Sequence, residues 1–596
     1  MTATSQLQAL REHATSLGIE TSYRDVREQV HDTPEHTLRQ LCDVLEEDRD
    51  TAPRQLEPVI VSLAGAGGPI DVGTSRSVVV LLADGSELVL PVDRGSVSVP
   101  PDVPVGCHRL VASGDGGGSE EATLVVPPAT MPRADRFSGK AGLFVPAYAL
   151  WERSAPLPSF AHLGALARRL PAVGIDVLAT LPLYAAFLDE PFDASPYAPA
   201  SRLHWNEVYL DDAALPVLEP PSPRELIDWR ALARRRRRQL LEASHDLDPF
   251  VQHGVERFVA SYPDVEQYAR FRVERAEPGD AGRPVDLVRR SHLLAQFLAH
   301  RQLVAVEGEG RAALALDLPI GGHKSGFETW AHRELFAQGM TAGAPPDEFF
   351  ADGQNWGFPP QLPGAGRRSG HLLWSRAVAR AGQHASILRV DHVMGVQRMW
   401  WIPEGSSAKD GAYVRYPREE LLAVIAAEAA ATSTTIIGED LGTVPAEVTD
   451  ALHHWDALGM FEEQFAIGHD HLNSIPARAV AGVRTHDMPA FATAVADLPS
   501  VVINRYRELV EEAVGHPVGD GAGPLLDAVL ERLAVSGAYL VIADLDDLLG
   551  ERAPHNVPGQ VLETTWRRRL RVPLSDMLSG DVRRRLHLLS SRPGTR

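Results

Sequence analysis

Short apolar runs alternate with longer stretches of helical periodicity from about residue 140 onward. Runs of this length predict buried strands, and the stretches between them carry apolar residues at helical spacing, such as Val448, Ala451 and Leu452. Eight strands that alternate with helices are typical of an α/β fold, the (β/α)8 TIM-type barrel. The eight runs are "AGLFVPAY", "GIDVLATLPL", "AALALDLPI", "ASILRVD", "TTIIGED", "MFEEQFAI", "AGVRTHD" and "AYLVIADL".

Two intervals between these predicted strands are much longer than a barrel helix requires. The first follows "GIDVLATLPL" and the second follows "AALALDLPI". We therefore predict a barrel over residues 131–596, with inserted helical subdomains at its mouth near residues 185–310 and 321–385.

The first 130 residues have another pattern. Residues 1–52 carry apolar positions at helical spacing and predict a helical segment, with Thr33 as a helix cap. Residues 53–130 contain short strand patterns separated by turn signals such as "ADGS", which predict a small β-sandwich. The glycine-rich "GDGGGSE" inside it predicts a hairpin loop and not a phosphate cradle, because neither a lysine nor a helix follows.

The charge balance argues against nucleic acid and anionic membranes as partners, since the net charge is −21. One basic run, Arg234–Arg238, lies in a predicted helix. Five consecutive residues are distributed all round a helix, so we interpret the run as a solvated helix and not as a binding face.

The cysteine content and the N-terminus favour a cytoplasmic protein. Only Cys42 and Cys107 are present, which excludes a disulfide framework and a cysteine-based zinc site. No signal peptide and no apolar run of the roughly 18 residues that span a membrane is visible. The histidine pairs His453–His454 and His469–His471 lack the spacing of a metal site, so no metal is expected there.

Acidic residues follow three of the predicted strands. Asp391 ends "ILRVD" with Arg389 before it, Glu439 ends "IIGE", and Asp487 ends "VRTHD" after His486. In a barrel of this kind, chemistry gathers at the carboxyl ends of the strands. Three like charges at one barrel mouth need a charge-developing reaction, and glycoside chemistry needs one carboxylate as nucleophile and one carboxylic acid as proton donor.

Each acid also has a structural interpretation. Asp487 could cap a helix that begins at "MPAF", Asp391 could form a structural ion pair with Arg389, and Glu439 with Asp440 could be a pair of loop acids. The joint placement of the three acids at strand ends favours the chemical interpretation.

Longer sequence segments around these acids resemble those of the 4-α-glucanotransferases called amylomaltases, glycoside hydrolase family 77, in the longer bacterial form. The matching words are "LRVDHVMGVQRMWWIP", "DGAYVRYPREELLAVIAAEA", "IIGEDLGTVPAEV" and "THDMP". Further similar words are "SPYAPASRLHWNEVYLD", "TWAHRELF", "GAPPDEFFADGQNWGFPP" and "HNVPGQ…TWRRRL". The resemblance covers nearly the whole chain.

The resemblance implies an enzyme that moves α-1,4-glucan segments between maltooligosaccharides, glycogen or starch-type glucans by a retaining mechanism, without a metal or organic cofactor. It implies Asp391 as the nucleophile, Glu439 as the acid/base and Asp487 as the transition-state stabiliser. In a retaining enzyme the two working carboxyl groups are expected roughly 5–5.5 Å apart. The residues implied in substrate binding are Arg389, His486, Tyr197, Trp356 and His392.

Several loops depart from the family pattern. His323 and Lys324 stand in "DLPIGGHKSGFETW", where the family has acids, and Ala179–Thr180 and Met488–Phe491 also differ. These departures leave two alternatives open: an α-glucan hydrolase on the same fold, or a glucan-binding protein with reduced catalysis. The predicted sandwich is a poor sugar platform because it contains no Trp, Tyr or Phe.

Overall fold

The computed structural model describes residues 3–25, 29–49, 54–114, 118–218, 225–275, 280–347, 350–442 and 444–592. The chain divides into two compact units. The first unit combines residues 1–133, 320–382 and 392–457, and the second combines residues 134–319, 383–391 and 458–596.

Among the first 126 residues, those that the structure describes form two α-helices and nine strands. The helices are α1 (Ala3–Ser16) and α2 (Glu35–Glu47). The strands are β1 (Ser22–Arg24), β2 (Val30–Asp32), β3 (Val59–Val61), β4 (Gly68–Asp71), β5 (Ser77–Leu81), β6 (Glu87–Leu90), β7 (Ser96–Val99), β8 (Gly106–Ser113) and β9 (Ser119–Val126).

Strands β3 to β9 enclose a small apolar core. They form a five-stranded sheet in the order β3-β9-β8-β5-β6 and a two-stranded sheet β4-β7. Alternate residues such as Val78, Val80 and Leu110 are fully buried, which is the pattern that half-buried strands produce. Strands β8 and β9 form a hairpin whose last pair is Ser113 and Ser119. The predicted glycine loop between them falls at residues 115–117, outside the described residues.

Thr33 does not cap a helix, so that prediction is wrong. Pro34 precedes α2, and no side chain caps the helix start. The hydroxyl of Thr33 instead donates a hydrogen bond of 3.0 Å to the carbonyl oxygen of Glu20, which engages it in a tertiary contact.

Twelve strands and fifteen helices follow in the described part of the chain. The strands are β10 (Lys140–Phe144), β11 (Val177–Ala179), β12 (Ala313–Leu318), β13 (Met340–Ala344), β14 (Gln354–Asn355), β15 (Ile387–Val390), β16 (Arg398–Pro403), β17 (Ala412–Arg415), β18 (Thr435–Gly438), β19 (Gly459–Glu462), β20 (Ala479–Gly482) and β21 (Leu540–Asp544). The helices are α3 (Phe160–Arg169), α4 (Trp229–Ala243), α5 (Pro249–Ser261), α6 (Asp264–Arg275), α7 (Val285–Val304), α8 (Phe327–Ala331), α9 (Pro363–Arg368), α10 (Leu372–Gly382), α11 (Arg418–Ala431), α12 (Ala446–His454), α13 (Phe491–Asp497), α14 (Ser500–Val514), α15 (Ala522–Val535), α16 (Leu545–Leu549) and α17 (Gly580–Ser590).

Eight of these strands form one sheet in the order β18-β15-β12-β11-β10-β21-β20-β19. Neighbours in this order are consecutive barrel strands, which is the strand order of a (β/α)8 barrel. Within the second unit the described pairings between barrel strands are parallel, for example Gly142 with Val177 and Leu143 with Ala543. Each of the eight apolar runs overlaps one barrel strand, so the predicted fold class is confirmed.

Helices α4 to α7 lie between β11 and β12 and belong to the second unit. The basic run lies on α4, and it is not a solvated face throughout. Arg236 and Arg237 are 1% and 4% exposed. Arg236 donates to Asp212 at 2.8 Å and Arg237 to Asp280 at 2.6 Å. The prediction is wrong for these two residues because acids far from them in sequence accept their hydrogen bonds.

The first unit contains a four-stranded antiparallel sheet in the order β14-β13-β16-β17. Its strands come from both sides of β15 in the chain. The segment between α1 and α2 packs on this sheet: Ile19 pairs with Val414, and Glu20 forms ion pairs with Arg398 and Arg415. The N-terminal helices are therefore tied to this sheet within one unit.

The domain boundaries proposed at residues 52 and 130 stay predictions, as do the limits of the two inserted subdomains. Within the described residues, no helix has the length and apolar character needed to cross a bilayer.

Candidate active site

Asp391 directly follows β15. Its backbone N–H donates to the carbonyl of Leu318 at 3.0 Å, which continues the parallel ladder by one residue. Arg389 Nη1 donates to Asp391 Oδ1 at 3.0 Å. Strand alternation places residues two apart on one face, so the spacing in "RVD" brings this arginine to this acid.

Arg389 also contacts Asp317, which was not among the predicted site residues. The two residues are paired in the register of β12 and β15. Nη1 of Arg389 donates to Asp317 Oδ1 and Oδ2 at 2.7 and 2.8 Å. The sequence did contain a signal for this contact, a single acid within the otherwise apolar run "ALALDL". A buried charge on a strand requires a charged partner, so this acid indicates one.

Tyr197 extends this network. Its hydroxyl donates to Asp317 Oδ2 at 2.6 Å. Burial, with the nearby Asp317 charge, holds the pKa of Tyr197 well above 10, so the phenol stays a neutral donor. The ring stacks on His486 at a centroid distance of 5.0 Å and an angle of 7°. The predicted residues Asp391, Arg389, Tyr197 and His486 therefore lie in one contact network within the second unit.

The loop after β20 carries His486 and Asp487. Strand β20 ends at Gly482, so Asp487 lies in the loop and not on the strand as the word "VRTHD" suggested. Helix α13 begins at Phe491 without a side-chain cap, so the interpretation of Asp487 as a helix cap is wrong. Asp487 Oδ1 accepts from Asn556 Nδ2 at 2.6 Å, and Nε2 of His486 lies 3.3 Å from Oδ2. The Asp487 side chain remains 47% exposed.

Aromatic rings surround His486. Phe144, at the end of β10, lies 6.3 Å away at 22°, and Trp566 lies 6.0 Å away at 48°. Asn556 and Trp566 were not among the predicted site residues, although both lie in segments that resemble the family, "HNVPGQ" and "TWRRRL". The signal available was an indole and an amide in a loop-rich segment, which alone does not distinguish packing from binding.

His486 predicts a pH dependence of stability. Burial lowers its pKa below 6.5, an effect that the Asp487 charge only partly offsets. As the pH falls from about 7 to 5, the unfolded chain takes up a proton that the folded protein accepts only at lower pH, so stability is lost. We expect the wild type to lose more free energy of unfolding over this range than His486→Gln, measured by urea unfolding.

His516 provides a control of opposite sign. A hydrogen bond to Glu531 raises its pKa above 6.5, so this histidine contributes stability that is gained as the pH falls. The wild type should lose slightly less free energy of unfolding than His516→Gln over the same range. Equal pH dependence of the wild type and His486→Gln would contradict the prediction for His486.

Glu439 directly follows β18, in the first unit. Its Oε2 accepts the backbone N–H of His392 at 2.8 Å, and its Oε1 accepts the backbone N–H of Leu441 at 2.9 Å. The carbonyl of Glu439 accepts from Val393 N–H at 3.0 Å. His392 adopts a left-handed backbone with a φ of 45°, a conformation that few non-glycine residues adopt. Backbone donors therefore fix the carboxyl group of Glu439.

Trp356 and His392 lie together in the same unit. The rings meet edge to face at 5.0 Å and 76°. Trp356 also stacks on Phe358 at 6.0 Å, and its backbone N–H donates to the Ala342 carbonyl at 2.9 Å. Burial, with Arg398, lowers the pKa of His392 to about 4, so the ring is neutral at physiological pH. This arrangement presents a partly exposed indole on a fixed backbone.

The loop that departs from the family pattern is locally ordered by its own hydrogen bonds. Nδ1 of His323 accepts from Ser325 N–H at 3.0 Å, and Thr329 donates to the His323 carbonyl at 3.2 Å. Lys324 is exposed. Over the described ranges, no group of three or more His, Cys, Asp or Glu side chains is arranged to hold a metal ion.

Comparison with known proteins identifies the relatives of this chain. A family model described as 4-alpha-glucanotransferase, glycoside hydrolase family 77, matches residues 287–575. The 4-alpha-glucanotransferase of Mycobacterium tuberculosis (strain ATCC 25618 / H37Rv) is 28% identical over 85% of this chain and 83% of its own length. The 4-alpha-glucanotransferase of Haemophilus influenzae is 30% identical over 48% of this chain and 47% of its own.

Solved structures agree on the fold. Amylomaltase from Corynebacterium glutamicum superposes with a TM-score of 0.86 at 22% identity, covering 98% of this chain and 100% of that one. Amylomaltase from Streptococcus agalactiae in complex with acarbose gives a TM-score of 0.66 at 20% identity, with 76% and 99% covered. The sequence matches lead to one conclusion: residues 287–575, which include Asp391, Glu439 and Asp487, match the 4-alpha-glucanotransferase family, glycoside hydrolase family 77.

Proposed function

We propose that this protein is a 4-α-glucanotransferase that moves α-1,4-glucan segments between maltooligosaccharides by a retaining double displacement. The observation that carries the mechanism is the network Asp391–Arg389–Asp317–Tyr197, which fixes a carboxylate at the end of a barrel strand. Glycogen and starch-type glucans belong to the same substrate class.

In the first step, Asp391 attacks the anomeric carbon of the donor sugar and forms a β-glycosyl-enzyme. Arg389 keeps the attacking carboxylate oriented, since its guanidinium is held in turn by Asp317. Glu439 donates a proton to the departing glycosidic oxygen. Asp487 accepts hydrogen bonds from sugar hydroxyls, and these strengthen as positive charge develops on the ring.

In the second step, the same Glu439 takes a proton from the 4-hydroxyl of an acceptor sugar, which then attacks the glycosyl-enzyme. The product retains the α-configuration because two inversions follow one another. The partly exposed ring of Tyr197, which stacks on the buried His486, offers an apolar surface for the donor sugar. Trp356 offers another aromatic surface for glucan.

Transfer prevails over hydrolysis when a sugar and not water reaches the glycosyl-enzyme. Incubation with maltotriose should therefore release glucose and build maltooligosaccharides longer than maltotriose, resolved by anion-exchange chromatography. The Asp391→Asn protein, purified in parallel, excludes contaminating activities. Glucose and maltose without any longer product would contradict transfer and indicate hydrolysis.

A cytoplasmic location is part of this proposal. Glycogen and maltooligosaccharides are substrates that a cytoplasmic enzyme meets inside the cell. A chain with two cysteines also has no disulfide framework of the kind that stabilises many secreted proteins. Fractionation of cells that express the full chain would test it, with activity expected in the cytosolic fraction.

A further inference from the structure

Arg484 is a buried charge beneath the loop that carries His486 and Asp487. Its side chain is 3% exposed and lies between Asp544 and Asp547, which are 4% and 1% exposed. The Arg484 Nε lies 3.0 Å from each Asp547 oxygen, and Nη2 lies 3.0 Å from Asp544 Oδ2. Arg484 follows the carboxyl end of β20, Asp544 is the last residue of β21, and Asp547 lies in α16 directly after it.

The same guanidinium also holds the loop backbone. Its Nη1 donates to the carbonyl of Thr485 at 3.0 Å and to the carbonyl of Met488 at 3.4 Å. These two carbonyls lie immediately before His486 and immediately after Asp487. One side chain therefore spans the dipeptide on which the proposed mechanism relies.

Two further contacts fix the ends of the loop. Asp547 Oδ1 accepts the backbone N–H of Phe491 at 2.9 Å. The side-chain amide of Gln464 donates to the carbonyl of Pro489 at 3.1 Å, and its backbone N–H donates to Val483 at 2.9 Å. The loop is thus anchored on both sides of His486 and Asp487.

Stability alone does not account for this arrangement. Three charges are removed from water at a single site, and a buried ion pair is often no more stabilising than apolar residues of the same volume. A planar guanidinium, however, offers several donors in fixed directions, so it can define a backbone position in a way that an apolar side chain cannot.

We infer that Arg484, held by Asp547, is a positioning residue of the transfer reaction: it fixes the loop that places His486 and Asp487 against the donor sugar. This inference rests on the proposed function. Arg484 itself acts through these two residues and is not assigned a contact with the sugar.

Arg484→Lys is the variant that tests the role, because lysine keeps the charge and loses the planar fork. We expect kcat on maltotriose to fall by about 10- to 100-fold, the usual effect of disturbing a supporting contact, with KM within about threefold. We expect kcat to change more than KM because Asp487 stabilises the transition state more than the bound substrate. A variant with normal kcat would overturn the inference.

Arg585→Lys is a matched control in the same unit. Arg585 Nε donates to Asp527 at 2.8 Å and its Nη1 donates to the carbonyl of Leu548 at 2.8 Å, and the side chain is 10% exposed. This control also loses a buried arginine fork, but its described hydrogen bonds do not involve the 484–491 loop. We expect a lower melting temperature with kcat within about twofold of the wild type. An equal loss of kcat in both variants would overturn a positioning role.

A double-mutant cycle gives the decisive readout. With 4-nitrophenyl α-maltoside as a sensitive donor, Arg484→Lys should cost about twofold or less in an Asp487→Asn background, because the residue that it positions is already impaired. If the wild type is active and the activity losses of Arg484→Lys and Asp487→Asn are fully additive in the double variant, the inference is overturned. Absence of turnover in the wild type would overturn the proposed function and this inference with it.

A second variant covers the case in which Arg484→Lys does not fold. Gln464→Ala removes the hydrogen bond to Pro489 and leaves the ion pairs intact. A smaller loss in kcat, of about three- to tenfold, is expected with KM unchanged, because only one contact to the loop is removed. Unchanged kcat in folded Gln464→Ala would then overturn the inference.

Discussion

Asp391→Asn is expected to lower transfer from maltotriose by about 10⁴-fold or more, because the amide cannot attack the anomeric carbon. The fold should survive the change. Asp391 lies at the end of β15 with its side chain 21% exposed, and Arg389 keeps its two contacts with Asp317. Transfer is measured as glucose release, and folding by the thermal unfolding midpoint.

Stereochemistry tests the role of Asp391 more directly than rate. In Asp391→Ala, azide can occupy the space of the lost carboxylate and attack 4-nitrophenyl α-maltoside from the β face, so the expected product is β-maltosyl azide. Near-normal turnover of Asp391→Asn, or formation of the α-azide by Asp391→Ala, would contradict the assignment of the nucleophile.

Asp176→Asn is the matched control for this prediction. Asp176 precedes β11, at the opposite end of a barrel strand, and forms a partly exposed pair with Lys140 at 3.9 Å. The same chemical change there should leave transfer within about twofold of the wild type, since exposed pairs contribute little.

Glu439→Gln should reduce transfer from maltotriose by about 10³-fold or more, because glutamine cannot donate a proton to the leaving sugar. The side chain keeps its size, and its carbonyl oxygen can still accept one of the two backbone N–H groups, from His392 or Leu441. Formation of the glycosyl-enzyme from 4-nitrophenyl α-maltoside should be affected much less, because nitrophenolate leaves without a proton. Burst kinetics of nitrophenolate release separates the two steps.

Azide distinguishes the role of Glu439 from that of Asp391. In Glu439→Ala, Asp391 still forms the glycosyl-enzyme, and azide attacks it without base assistance, so α-maltosyl azide is expected. Asp440→Asn provides the control, since the neighbouring acid has no assigned proton transfer and its loss should cost little activity. Equal losses in Glu439→Gln and Asp440→Asn would refute the separation of these two acids.

The barrel could be predicted because its strands are buried on both faces and therefore appear as uninterrupted apolar runs. Strand β18, "TIIG", is buried at all four residues. The four-stranded sheet of the first unit was not predicted, although "RMWWIP" is also a strand, because its partner β13 lies on the other side of β15 in the chain. Pairing between distant segments leaves no local pattern.

In the candidate site, too, contacts between residues close in sequence could be predicted, whereas contacts between residues far apart in sequence could not. The Arg389–Asp391 contact follows from a spacing of two on a strand and was predictable. The contacts of Asp317 with Tyr197 and of Asn556 with Asp487 join residues far apart in the chain, and residue type alone did not reveal them. The same limitation explains the buried Arg236, whose partner Asp212 precedes the helix on which it lies.

The hydrogen bonds that hold Glu439 come from peptide N–H groups, and every residue except proline has one. The two donors themselves therefore do not depend on which side chains stand at positions 392 and 441, provided that neither residue is proline. The φ of 45° at His392 is the remaining restriction, and it admits glycine, asparagine and aspartate most readily. The orientation of the proton carrier is thereby robust to genetic drift in its immediate neighbours.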